Sequence, residues 1–284
     1  MTQHVEGSEP TACPAAGTDA AAPASVEKPE VHPEVHAMSR VTGGLAFGLA
    51  LGVAAVGSVI LFRLLNRMKI EGTENIPESS ENVLYCLNHT SILDNLAFES
   101  AAYLPKVLFQ PEYLPIQLAD RKNFFGDPSS RKLKDKVMGV IAKYFLRHLR
   151  TFPVDRKSGD LGQVDQWIEL LRQNIVVVFP EGTRSRSGEI GQGKAGVGKL
   201  IYKARPTVIP VRMVGMSRVL GVGRIIPAAF QTIRVFIGKP LDMTAFVDRP
   251  LPSEPESELA LYKEISNHVV EAIRAIAPDI PEPI

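Results

Sequence analysis

Residues 82–95 read Asn-Val-Leu-Tyr-Cys-Leu-Asn-His-Thr-Ser-Ile-Leu-Asp-Asn. An apolar, β-prone run ends at Asn88 and His89, and two good helix N-caps, Thr90 and Ser91, follow it. This pattern predicts a strand that delivers a histidine to the start of a helix. Asp94 follows five positions later, so its carboxylate is able to reach back to the imidazole. A carboxylate in that position fixes the tautomer and stabilises the imidazolium that forms when the ring takes a proton.

A second apolar run ends in a polar turn, at Val176-Val-Val-Phe-Pro-Glu-Gly-Thr-Arg-Ser-Arg-Ser-Gly188. The turn carries two guanidinium groups, three hydroxyls and two glycines. Arginine binds phosphate through paired hydrogen bonds, and glycine lets backbone N–H groups approach an anion. Because open α/β sheets bind ligands at the carboxyl ends of their strands, the histidine and this anion site are expected to lie close together.

These two motifs resemble those of the glycerolipid acyltransferase family, in particular the 1-acylglycerol-3-phosphate acyltransferases. The resemblance rests on His89-x4-Asp94 after Asn88, and on the heptapeptide Phe179-Pro-Glu-Gly-Thr-Arg-Ser185. Phe152-Pro-Val-Asp-Arg156 and Val208-Ile-Pro-Val211 resemble two further blocks of the family. The order and rough spacing match over about residues 68–240.

The resemblance implies roles for these residues. His89 is expected to be the general base and Asp94 its orienting partner, while Arg184, Gly182 and Thr183 hold the phosphate of the acceptor. Glu181 is expected either to accept a hydrogen bond from an acceptor hydroxyl or to tether an arginine. Asn88 is grouped with the substrate-binding residues.

Two more cations are expected to help. Resemblance to the second block makes Arg156 a phosphate ligand, although Leu149-Arg150 stands where the family usually has a glycine. The family has a lysine-bearing segment near Asp120-Arg-Lys-Asn-Phe-Phe125, so Lys122 or Arg121 is expected to face substrate phosphate. Ordinary solvated loop charges are the alternative interpretation of that segment.

Apolar runs and helical periodicities alternate along the rest of the chain, which predicts an α/β fold. We expect a mixed, mostly parallel sheet flanked by helices, together with an N-terminal membrane helix. Strands are predicted at residues 82–87, 106–110, 116–119, 151–154, 175–179, 208–213 and 231–237, and helices at 160–173, 199–204 and 256–276.

The net charge of +1 hides an asymmetry along the 284 residues. Both ends are acidic, which leaves residues 41–241 near +11. A basic central region suits an anionic membrane surface or substrate. Nucleic acid is not expected as a partner, because no aromatic platform, zinc-ligand spacing or basic recognition helix accompanies the charge. Two cysteines, Cys13 and Cys86, do not predict a disulfide framework.

Residues 41–62 carry no charge and are flanked by Arg40 and Arg63. This length is sufficient to cross a hydrocarbon core of ~30 Å as a helix. A shallow or re-entrant helix and a buried helix of a soluble protein are the alternatives. Cations follow the segment at Arg63, Arg67 and Lys69, and an acidic flank precedes it, so the positive-inside rule predicts that the catalytic region faces the cytoplasm.

The predicted organisation has four parts. These are a disordered acidic tail at 1–38, a membrane-anchoring helix at 39–67, an acyltransferase domain at 68–277 and a tail at 278–284. Within the domain, residues 131–148 form a basic amphipathic pattern, which indicates either a helix on an anionic bilayer surface or a core-packing helix with a solvated face.

A nucleotide-driven reaction is not expected. Residues 193–199 match the GxxxxGK pattern of phosphate-binding loops, but Leu200 replaces the serine or threonine that binds magnesium. No strand leads directly into the match.

The resemblance predicts that an acyl group passes from a thioester directly to an alcohol, with no metal or other cofactor. The expected donor is a thioester of coenzyme A or of acyl carrier protein, and the expected acceptor is lysophosphatidic acid. Lyso-ornithine lipid and lysocardiolipin are alternative acceptors. A non-catalytic, membrane-attached lipid-binding protein is the alternative from another class.

Overall fold

A computed structural model of the chain describes residues 44–120, 148–154 and 164–280. Within these residues seven strands form one sheet, in the order β1-β7-β6-β2-β5-β3-β4. The strands are β1 (Arg67–Glu71), β2 (Val83–Leu87), β3 (Ile116–Asp120), β4 (Thr151–Val154), β5 (Ile175–Val178), β6 (Thr207–Val214) and β7 (Thr232–Ile237). Strands β6, β2, β5, β3 and β4 run parallel, whereas β7 is antiparallel to β6 and parallel to β1. The predicted mixed, mostly parallel sheet is confirmed.

Helices cover both faces of the sheet. They are α1 (Leu45–Ser58, continued by a π-helical segment at Val59–Leu64), α2 (Asp94–Ala102), α3 (Asp165–Arg172), α4 (Ala195–Ala204), α5 (Met216–Leu220), α6 (Thr244–Val247) and α7 (Pro255–Ala275). One core lies between the sheet and α3, α4, α6 and α7, and the other between the sheet and α1, α2 and α5. Strand β2 contributes to both cores because successive side chains of a strand point to opposite faces.

One predicted strand, at residues 106–110, is wrong. The segment instead forms a 3₁₀ turn, Lys106–Leu108, followed by another at Pro111–Tyr113. Its backbone N–H groups bond to nearby carbonyls, since Leu108 donates to Pro105 and Phe109 donates to Lys106. These local hydrogen bonds replace the ladder that a strand would need.

The segment that matches GxxxxGK has a packing role. Helix α4 lies against α7, and a Cβ added to Gly198 would lie 1.8 Å from the backbone oxygen of Tyr262. A Cβ on Gly193 would similarly lie 2.4 Å from Oγ of Ser266. Gly198 therefore allows close approach of the two helices, and Gly193 allows the segment before α4 to approach α7.

A buried polar network connects α2 to the sheet. Glu99 of α2 is 6% exposed and accepts a hydrogen bond from Nε2 of Gln117 in β3. Asn95 donates to Oε1 of the same glutamine at 2.9 Å. Arg150, which is also buried, donates to the carbonyl of Leu114 at 2.7 Å and lies near enough to Glu99 to interact electrostatically.

Replacing Glu99 with glutamine is expected to flatten the pH dependence of the free energy of unfolding. Burial raises the pKa of Glu99 from 4.5 to about 8, so the folded protein keeps a proton that the unfolded chain has already lost. The contribution of this group to stability is full below pH 4.5 and is lost as the pH rises to about 8. Denaturant titrations across this range, with exposed Glu112→Gln as the control, measure the difference. Equal slopes for the wild-type protein and Glu99→Gln would contradict a buried neutral Glu99.

Candidate active site

His89 and Asp94 form a buried pair. Nδ1 of His89 lies 2.9 Å from Oδ2 of Asp94, and the two residues are 8% and 0% exposed. The same Oδ2 accepts the backbone N–H groups of Thr90 at 2.8 Å and Ser91 at 2.9 Å. Asp94 opens α2, so its carboxylate holds the turn between β2 and α2 as well as the imidazole. With the proton on Nδ1, Nε2 of the ring is left to accept a proton from a substrate.

Phe179, which follows β5, fixes the plane of the imidazole. The two rings stack with centroids 3.7 Å apart and an interplanar angle of 14°. The carboxylate of Asp94 at Nδ1 and the ring of Phe179 along its face leave the imidazole few alternative orientations. The heptapeptide contains this phenylalanine, but no sequence pattern indicates that it stacks on the histidine.

The two motifs lie at neighbouring strand ends and are joined by hydrogen bonds. Strand β2 pairs with β5, with Cys86 opposite Val178. The backbone N–H of His89 donates to Oε1 of Glu181 at 3.0 Å, and the N–H of Ser185 donates to the carbonyl of His89 at 2.7 Å. The turn that carries Arg184 is therefore anchored directly on the histidine.

Glu181 binds backbone groups on two sides of the site. Its second oxygen accepts the N–H of Gly191 at 2.8 Å, so the carboxylate joins the histidine turn to the end of the polar loop. Burial raises the pKa of Glu181, while the hydrogen bonds from Gly191 and His89 lower it. Each oxygen of the carboxylate thus accepts one backbone N–H group, and the expected contact with an acceptor hydroxyl or an arginine stays a prediction.

Replacing Glu181 with glutamine is expected to lower both kcat and the free energy of unfolding. An amide accepts one of the two backbone N–H groups but turns its own NH₂ toward the other, which costs about 1–3 kcal/mol for a buried unsatisfied donor. Initial rates and denaturant titrations on Glu181→Gln and Glu181→Ala measure both effects. Exposed Glu189→Gln, in the same loop, is the matched control. A wild-type rate and stability in Glu181→Gln would show that the carboxylate does not position His89.

Asn88 also binds the backbone of another segment. Its Nδ2 donates to the carbonyl of Met213 at 2.9 Å, and its Oδ1 accepts the N–H of the same residue at 2.7 Å. The side chain is 3% exposed and joins the end of β2 to β6. The contact that the structure shows is structural, and the contact with substrate stays a prediction.

The remaining predicted ligands fall into two groups. Gly182, Thr183 and Arg184 lie in the turn after β5, where Gly182 has a φ of +70° and donates its N–H to the carbonyl of Phe179 at 2.9 Å. Arg184 is half-buried. Lys122 and Arg156 lie outside the described residues, as do the basic segment at 131–147 and the tail at 1–38.

A cleft of ≈ 630 Å³ opens beside the histidine turn. We call it the arginine cleft after Arg186, Arg218 and Arg224, which line it together with Thr90. Arg186 belongs to the polar turn, while the other two arginines follow β6. Arg218 lies on α5 and Arg224 follows that helix, and the sequence alone assigned neither residue a role.

The sequence model of the acyltransferase family matches residues 67–214, just over half of the chain. The match runs from β1 to the end of β6. It therefore includes the His89–Asp94 pair and the whole turn after β5.

Two curated relatives and one crystal structure resemble the chain. A chloroplastic 1-acyl-sn-glycerol-3-phosphate acyltransferase of Arabidopsis thaliana is 28% identical over 62% of this chain and 44% of that protein. A Mycoplasma pneumoniae protein named as a probable 1-acyl-sn-glycerol-3-phosphate acyltransferase is 31% identical over 55% of this chain and 53% of that protein. The match thus spans about half the length of these relatives. The crystal structure of a 1-acyl-sn-glycerophosphate acyltransferase from Thermotoga maritima aligns with 81% of this chain and 80% of its own, at 22% identity and a TM-score of 0.49.

Proposed function

Because the chain belongs to the acyltransferase family, we propose that it moves an acyl group from a thioester to the free hydroxyl of lysophosphatidic acid, giving phosphatidic acid. The observation that carries the proposal is the buried contact of 2.9 Å between Nδ1 of His89 and Oδ2 of Asp94. This pair lies beside the turn that carries Arg184 and Arg186. The names of the two curated relatives support this acceptor.

The proposed chemistry begins at His89. Nε2 takes the proton of the acceptor hydroxyl as its oxygen attacks the thioester carbonyl carbon. The C–O bond forms, the C–S bond breaks, and the departing thiolate takes the proton back from the imidazolium. Asp94 stabilises the imidazolium between these steps. The described site pairs no serine or cysteine nucleophile with the histidine, which favours direct attack by the acceptor. Thiolate is a good leaving group, so the reaction needs no metal.

The acceptor phosphate is proposed to bind at the turn after β5. Arg184 supplies a guanidinium, and Gly182 and Thr183 supply backbone and hydroxyl donors. Lys122 and Arg156 come two residues after the ends of β3 and β4. Because β2, β5, β3 and β4 are parallel neighbours, all these residues follow carboxyl ends on one edge of the sheet.

A membrane location is supported by one helix. Leu45–Leu64 is 20 residues long with a mean hydropathy of 2.4, and 28% of its most apolar window is buried. One side of this helix packs on α2 through Phe47, Leu51 and Phe62. The other side exposes an apolar stripe of Leu45, Leu49, Val53, Val56, Ile60 and Leu64. Such a stripe suits contact with acyl chains, and both the acceptor and the product reside in a bilayer.

The cytoplasmic orientation remains part of the proposal. It rests on Arg63, Arg67 and Lys69 directly after the helix. An anionic membrane surface is the expected partner of the basic central region, and the donor is a thioester of coenzyme A or of acyl carrier protein.

The test is an acceptor panel. The 284-residue chain in mixed micelles is incubated with a donor whose acyl group is labelled, either a coenzyme A thioester or an acyl carrier protein thioester. Each donor is combined, in separate reactions, with lysophosphatidic acid, lyso-ornithine lipid or lysocardiolipin. Labelled phosphatidic acid is the expected main product. Labelled product from another lysolipid alone would contradict lysophosphatidic acid as the acceptor. If neither donor yields any labelled lipid, the proposed catalysis is contradicted and a non-catalytic lipid-binding protein is favoured.

A further inference from the structure

The arginine cleft presents a concentrated positive charge next to the catalytic turn. Arg186, Arg218 and Arg224 are all exposed, and no carboxylate is found among the residues that line the cleft. Arg224 donates to the carbonyl of Arg218 at 3.1 Å, which holds these two residues together. Three guanidinium groups around one concave space favour a ligand that carries several negative charges.

A buried hydroxyl also points to a ligand. Thr90 lines the cleft, is 2% exposed, and its Oγ1 has no hydrogen-bond partner within the described residues. A buried hydroxyl without a partner is costly, so a bound group is expected to satisfy it. Thr90 directly follows His89, and the ligand in the cleft therefore comes close to the general base.

Two of the three arginines that line the cleft follow a different strand from the turn proposed for the acceptor phosphate. His89 follows β2, and its neighbours in the sheet are β5 on one side and β6 on the other. Arg184 follows β5, whereas Arg218 and Arg224 follow β6. Arg184 is also absent from the cleft lining. Two substrates must meet at His89. Arg186 of the cleft comes from the same turn as Arg184, and Arg218 and Arg224 add positive charge on the β6 side.

We propose that the arginine cleft binds the phosphate groups of a coenzyme A thioester, so that the acyl donor reaches His89 from the β6 side. This inference rests on the proposed acyl transfer and names the donor for it. Coenzyme A carries a 3′-phosphate and a diphosphate, which matches three guanidinium groups better than the single phosphodiester of a carrier-protein arm. The volume of ≈ 630 Å³ lies within the range of small-molecule pockets, about 300–1,000 Å³.

Binding measurements test the proposal without turnover. Isothermal titration calorimetry of the 284-residue chain in micelles uses coenzyme A, dephospho-coenzyme A and glycerol 3-phosphate as probes. In Arg218→Gln/Arg224→Gln the Kd for coenzyme A is expected to rise about tenfold or more, with the Kd for glycerol 3-phosphate within about twofold of wild type. The wild-type protein is expected to bind dephospho-coenzyme A more weakly than coenzyme A.

The matched control is Lys239→Gln/Lys263→Gln. It removes two positive charges from exposed positions outside the cleft, and the Kd for coenzyme A is expected to stay within about twofold. Circular dichroism checks that both double variants are folded, and Arg218→Lys/Arg224→Lys, which keeps the charge, is expected to restore part of the binding.

Three results would overturn the donor site. These are an unchanged Kd for coenzyme A in the glutamine variant, a rise in the Kd for glycerol 3-phosphate instead, and a wild-type protein that binds no coenzyme A while it accepts acyl groups from a carrier protein. The last result would leave the proposed acyl transfer standing. Conversely, arginine-dependent binding of coenzyme A by a protein that transfers no acyl group would support the site and overturn the proposed function.

Discussion

Replacing His89 with alanine is expected to lower kcat for acyl transfer by about 10²–10⁴-fold, the usual contribution of a general base. The imidazole is held by Asp94 at Nδ1 and stacked on Phe179, which leaves Nε2 for the acceptor hydroxyl. The backbone contacts of His89 with Glu181 and Ser185 do not use the side chain. The variant is therefore expected to fold and to keep its KM for the acceptor.

The matched control is His268→Ala. This histidine is exposed on α7, and its ring contacts Phe246, far along the chain from the turn after β2. Initial rates at saturating donor and acceptor compare the two variants. A His89→Ala protein that retains the wild-type kcat, or a His268→Ala protein that loses it equally, would contradict the assignment of the base.

The second large effect is expected for Asp94→Asn, with a fall in kcat of about 10²–10⁴-fold. An amide oxygen in the place of Oδ2 still accepts the N–H groups of Thr90, Ser91 and Nδ1 of His89, so the turn is expected to survive. The neutral amide, however, lacks the negative charge that stabilises the imidazolium formed when Nε2 takes the proton of the hydroxyl.

A double variant separates a shared role from two independent ones. Residues that act as a unit in catalysis are strongly non-additive. We therefore expect the kcat of His89→Ala/Asp94→Asn to lie within about threefold of the kcat of His89→Ala. If the fold-decrease in kcat of the double variant equals the product of the two single decreases, Asp94 acts on catalysis by a route other than the imidazole.

Much of the fold could be predicted because buried parallel strands have a simple pattern. Strands β2 and β5 are continuous apolar runs, as expected when both faces of a sheet are covered. Each run ends at a polar motif, and the parallel pairing of β2 with β5 brings the motifs together. The failed strand at residues 106–110 lies between prolines, where local 3₁₀ turns satisfy the backbone.

The parts of the site that could not be predicted are contacts between distant residues. Both Asn88 and Glu181 were expected to face substrate, yet each bonds to backbone groups from another segment, Met213 for the first and Gly191 for the second. A polar side chain at the end of a strand looks the same in the sequence whether it binds a ligand or a carbonyl. Arg218 and Arg224 were missed for a related reason, since only the fold brings the segment after β6 next to Thr90.

The imidazole of His89 and the cationic turn at Arg184 are proposed to act on one glycerol headgroup. An experimental structure of the chain with bound lysophosphatidic acid and no donor tests this arrangement. In that structure Nε2 of His89 is expected within about 3.2 Å of the free hydroxyl oxygen, with the phosphate against Arg184. A headgroup bound with its phosphate away from Arg184, or with its hydroxyl beyond the reach of His89 even through one water, would contradict it.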